Sequence, residues 1–160
     1  MNQIFTVVFL CLVVVAMISD ARNFLIPNWV SVAIVVLFIA RAGMVATLPI
    51  WPHVLVALLV FAVTYGLFLA RWFGGGDVKL LSAVSLWAGP VDIVALLAVM
   101  GASGAALGCA ILWVRRNIGP QGKLQPSKYG LLGRWVARGA CPYGIPIGLG
   151  ALAVSLGRLT

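Results

Sequence analysis

"GGGDVKLLSAVSLWAGP", residues 74–90, decides how this chain is threaded. Its apolar part, 78–88, falls short of the roughly 20 residues that cross a bilayer core, and Gly89-Pro90 ends it. It reads either as a short crossing or as half of a re-entrant hairpin. Longer apolar runs surround it at about 2–19, 29–48, 53–70, 91–114 and 142–159. Basic residues, which gather in short cytoplasmic loops, choose between the two readings. With the N-terminus outside and all six runs crossing, Arg22, Arg71, Lys79, Arg115, Arg116, Lys123, Lys128, Arg134 and Arg138 fall inside, and only Arg41 and Arg158 outside. A re-entrant 78–88 would put the basic loop 115–140 on the side opposite Arg71 and Lys79. The expected fold is therefore all-α: a polytopic membrane bundle of about six transmembrane helices, one domain over 1–160, with 115–140 as a basic cytoplasmic loop.

Composition agrees with a lipid environment. The 160 residues are 63% hydrophobic and 9% charged, and none is Glu. Water-soluble domains carry roughly 25% charged residues. The opening "MNQ" has no basic side chain and no A-x-A site precedes Asp20, so the first run reads as a retained helix rather than a cleaved signal. The net charge of +8 sits largely in the inside loops, against anionic headgroups. No nucleic-acid partner is expected, and the oligomeric state is left open. No internal repeat supports an inverted-repeat transporter. Cys11, Cys109 and Cys141 form no CxxC pair and read as small buried hydrophobes. The single histidine, His53, has no acid or second histidine near it in sequence, so neither metal nor cofactor is expected. Trp29, Trp72, Trp87 and Trp135 lie near the predicted boundaries and read as interfacial anchors.

The chain has three acids. Asp92 follows Gly89-Pro90 and reads as ordinary complementation of a helix N-terminus. Asp20 and Asp77 fall at the cytoplasmic boundary, where charges are costly and suggest function. Asp77 suits an N-cap by residue type. Asp20 ends the first helix, where an acid opposes the macrodipole at roughly 0.3–1 kcal/mol. Helix stability does not account for it. Gly74, Gly75 and Gly76 would let a substrate backbone lie close to Asp77. Two carboxylates sharing one proton suffice for peptide hydrolysis: the ionised one takes a proton from water and the protonated one binds the scissile carbonyl. The dipoles of their own helices favour charge on Asp77 over Asp20. The same two acids could instead form a cation or proton site in a non-enzymatic carrier, or belong to a scaffold without chemistry.

"DARNFLIPN" at 20–28, "GGGDVKLLSAVSLWAGP" at 74–90 and "PYGIPIGLGAL" at 142–152, in that order, resemble the prepilin peptidases, with "GGGD" matching the GxGD signature of membrane aspartyl peptidases. The resemblance implies an inner-membrane endopeptidase that removes the leader of type IV prepilins at the cytoplasmic face. It implies Asp20 and Asp77 as the catalytic pair and Gly74 and Gly76 as the fixed signature glycines. Lys79 matches the family's GDxK pattern near the active site, and Pro142 and Gly144 match its late helix-shaping element. Larger members carry a CxxC-bearing domain and also N-methylate the product. Here eight residues separate Asp20 from Trp29 and no CxxC exists. The chain thus resembles the minimal form serving Flp-type, tight-adherence pili, without methyltransferase activity or zinc.

Overall fold

The computed structural model describes residues 2–45, 49–118, 131, 133–136 and 141–157. Five apolar helices account for nearly all of them: α1 (Asn2–Asn23), α2 (Asn28–Met44), α3 (Ile50–Leu69), α4 (Gly75–Ile118) and α5 (Gly144–Gly157). A short helical stretch at 133–136 is also present. No strand occurs among the described residues. Most of the basic loop 115–140 lies outside the described residues.

Gln3–Asn23, Ile50–Leu69 and Gly75–Arg116 are long and apolar enough to cross a membrane, and Asn28–Met44 and Gly144–Gly157 are shorter apolar helices. The 42-residue stretch would be about 63 Å long if straight, twice a hydrocarbon core of about 30 Å. It folds back at Gly89, whose φ of 68° and ψ of −170° lie outside helical space. Only glycine adopts that backbone at little cost, and a Cβ there would strike the His53 ring. Pro90 then restarts the helix at its first position, where a missing N–H is harmless, and Asp92 stands in the first turn.

The register against α5 fixes the direction of the two limbs. Asp20 reaches the first residue of α5 and shares a cavity with Asp77. Gly104 lies against Pro146, Leu96 against Gly150, and Asp92 beside Gly157. The first limb of α4 therefore runs away from Asp20 and the second returns. The run 78–88 crosses, and the fold is a membrane helical bundle with six apolar limbs among the described residues.

Val78, Leu80, Leu81, Ala83, Val84, Trp87 and Ala88 are all buried: the first limb of α4 is the hub of the bundle, with protein over most of its surface and Ser82 only half-buried. A helix covered over most of its surface shows little polar face to mark it. Phe9 of α1 stacks on Trp87 with ring centroids 4.5 Å apart, and the Arg41 guanidinium sits 5.0 Å over the same ring. Val13 and Ala16 of α1, Ile34 and Phe38 of α2, and Ile147 and Ala151 of α5 complete the core.

Two sequence readings change here. Trp87 is 1% exposed and Trp135 7% exposed, so neither is an interfacial anchor, whereas Trp29 and Trp72 are exposed. The Trp135 indole N–H donates to the Ala21 carbonyl at 2.9 Å, capping α1 from another part of the chain. Cys11 and Cys109 are exposed on the outer face of the helices rather than buried among them. His53 has a structural role: its Nδ1 pairs with the Leu86 carbonyl at 2.9 Å, and its ring packs on Phe38.

Candidate active site

The end of α1, the 24–28 connection and the start of α4 build one recess. Helix α1 stops where Phe24 turns into the left-handed region (φ 55°), and its N–H caps the Asp20 carbonyl at 2.9 Å. This is an αL cap made without glycine. The chain then runs through Leu25 and Ile26 to Pro27, which opens α2. Ser19 Oγ donates to the Leu25 carbonyl at 2.8 Å and ties this connection down. Helix α3 ends in a Schellman motif around Arg71 (φ 63°). Arg71 N–H donates to the Phe68 carbonyl at 2.9 Å and Trp72 N–H to the Leu67 carbonyl at 3.0 Å.

Gly74, not Asp77, is the N-cap of α4: its carbonyl accepts the Val78 N–H at 3.1 Å. Asp77 stands three residues later and folds back to accept the Gly74 N–H, the acid half of a capping box. The three glycines use their missing side chains for close approach and none has positive φ. A Cβ on Gly74 would lie 2.7 Å from Asp77 Oδ2, and one on Gly76 3.3 Å from Ile26 Cβ. Ile26 thus seats the 24–28 connection directly on the glycine run. This contact is the reason two distant segments of sequence form one site.

Asp20 is 5% exposed. Its Oδ2 accepts the backbone N–H of Gly144 at 2.7 Å, at the first turn of α5. Asp20 therefore faces the positive end of α5, not only the negative end of its own helix. The dipole of α1 alone therefore does not set its charge state. Both acids meet the N-terminal end of a helix. A Cβ on Gly144 would lie 2.8 Å from Asp20 Cβ, so only glycine lets α5 come this close.

Asp20 and Asp77 line a common recess of about 320 Å³ with Phe24, Ile26, Asn28 and the three glycines. The two carboxyls are near enough for a charge on one to be felt by the other. Lys79 lies outside this recess and donates to Asn28 Oδ1 at 3.0 Å, at its border. Cys141 is close to both acids, and burial first, then their charges, push its thiol up from the ordinary range. It stays a neutral thiol and a poor nucleophile. Among the described residues no three His, Cys, Asp or Glu side chains gather as a metal site.

Sequence reasoning missed Asn28 as the partner of Lys79 and Gly144 as the partner of Asp20. Both residues stand in the quoted motifs, but an amide side chain and a backbone N–H carry no signal of their partners until the helices are packed.

The arrangement defines a class: a membrane-embedded helical protein with two carboxyls lining one recess. The type IV leader peptidase family matches residues 7–119, nearly three quarters of the chain, and the chain belongs to that family. It is a membrane peptidase. The match includes both aspartates and ends before Gly144. No curated protein and no solved structure matches the chain.

Proposed function

We propose that the protein is an aspartyl prepilin peptidase of the GxGD type. It removes the leader from Flp-type pilin precursors at the cytoplasmic face of the bacterial inner membrane. The observation that carries this reading is the recess shared by Asp20 and Asp77. One carboxylate, ionised, takes a proton from a water molecule. The other, protonated, hydrogen-bonds the scissile carbonyl oxygen. Water adds to the carbonyl carbon, the peptide C–N bond breaks, and the amine leaves with a proton from the pair. The glycine run lets the substrate backbone lie beside Asp77.

The orientation rests on charge. Arg22, Arg71, Lys79 and Arg134 stand at the Asp20 end of the bundle, while Arg41 stands at the Gly89 end. The positive-inside rule then directs the recess to the cytoplasm.

Asp20→Asn and Asp77→Asn, each expressed with a pilin precursor, test the mechanism. Each change should lower processing by at least about 10²-fold, the usual contribution of an acid–base group, with the protein still inserted and folded. Full processing by either variant refutes the pair. Loss of a proton or cation flux with processing intact would instead favour a carrier.

A further inference from the structure

Helices α2 and α3 both pack on the first limb of α4 but scarcely touch each other. A lateral cleft is left between them, floored by Ser82 and Ala83. Its half nearer the recess encloses about 500 Å³, lined by Asn28, Ser31, Val35, Phe61 and Lys79. A second half of about 370 Å³ continues past Val35, Phe61 and Ser82 to Phe38, Ile39 and Leu86. Asn28 belongs both to this cleft and to the aspartate recess. From Asn28 to Ile39 the cleft follows α2 for about 16 Å, or roughly three helical turns.

One polar group in it has no partner. Ser31 is 7% exposed, and its Oγ has no hydrogen bond among the described residues. Thr64, Ser82, Ser85 and Ser103 each donate to the carbonyl four residues earlier. Ser31 follows Pro27 by four residues and makes no such bond. A buried hydroxyl without a partner is costly in an apolar setting. The Oγ is covered by protein rather than open to the cleft; what ties the cleft to the substrate is Asn28, which also lines the aspartate recess.

We propose that this cleft is the seat for the substrate's apolar, membrane-inserted helix, which enters sideways from the lipid between α2 and α3. The inference rests on the peptidase reading above and assigns where the rest of the substrate lies. The chain leaves the scissile bond in the recess and passes the Asn28–Lys79 pair. It lays its helix along Ser82 and Ala83. Small residues on that floor let a helix backbone approach closely.

Cysteine crosslinking and kinetics on the full-length enzyme in membranes test it. Cys141→Ala is combined with Ser82→Cys, and single cysteines are stepped through the precursor segment that follows the cleavage site. The outward-facing Cys11 and Cys109 serve as internal controls. Disulfides at Ser82→Cys recurring every three to four substrate positions, and absent at Cys11 and Cys109, are expected. Ser82→Trp, which fills the cleft, should raise KM for the precursor by at least tenfold with kcat changed less than twofold. Crosslinks formed equally well with an unrelated membrane helix overturn the proposal. So does an absence of crosslinks while the enzyme still cleaves the precursor, and that result leaves the peptidase reading standing. If the unmodified protein cleaves no pilin precursor, both fall.

Discussion

Gly144 is the residue whose role is most directly written in geometry. Its N–H holds Asp20 Oδ2 at 2.7 Å, and a methyl group in place of its hydrogen would press on Asp20 Cβ. Gly144→Ala should therefore displace the Asp20 carboxyl while the six limbs stay packed. Such overpacking costs about 1–3 kcal/mol in stability, and a shift of about 1 Å in a reacting group costs on the order of 10²-fold in rate. The expected outcome is a folded protein with cleavage reduced at least about tenfold, measured by precursor processing alongside thermal unfolding in detergent. Wild-type cleavage by this variant would remove Gly144 from the site. Cys141 gives the opposite prediction. It lies beside the acids but is held as the neutral thiol, so Cys141→Ala and maleimide treatment should leave processing within about twofold of the untreated enzyme.

At the scale of the helix, two ends are closed by residues poorly suited to their backbone. Arg71 is the left-handed residue of the α3 Schellman motif, and its side chain is exposed. A non-glycine residue there costs roughly 1–2 kcal/mol. Against this, glycine gives the unfolded chain more freedom. Arg71→Gly should raise stability by a net of about 0.5–1 kcal/mol, read as a higher Tm, with insertion and processing retained. A lower Tm would show that the arginine makes a contact outweighing its strain.

Much of this scale was legible in the sequence. The rarity of carboxylates singled out Asp20 and Asp77, and the charge bias required 78–88 to cross. The unfavourable position of Asp20 on α1 already showed that helix stability does not place it there, without showing what it pairs with. That partner is α5, whose approach depends on Gly144. Trp87 and Trp135 were misread because position near a helix end suggests an interface. Whether the ring faces lipid or protein depends on which helix lies beside it. The N-cap of α4 also moved three residues upstream, since Gly74 supplies a backbone carbonyl that residue type alone does not reveal.

For the molecule as a whole, the limbs are unequal. Helix α1 has 22 residues, about 33 Å of rise, while α5 has 14, about 21 Å, and α2 has 17, about 26 Å. Helices α2 and α5 present apolar residues such as Val36 and Leu149 outward. A standard hydrocarbon layer of about 30 Å is thicker than either. Thinning of the lipids beside these two helices would accommodate them at fractions of a kcal/mol per Å of hydrophobic mismatch. Reconstituted in vesicles of graded acyl-chain length, the enzyme should turn over fastest in thin bilayers and slow progressively in thick ones. A flat response would mean that flanking side chains absorb the difference. On the peptidase reading proposed above, a bilayer thinned beside these two helices would bring headgroup water nearer the aspartate recess, so that a bond flanked by a greasy segment could be hydrolysed without being pulled fully clear of the membrane.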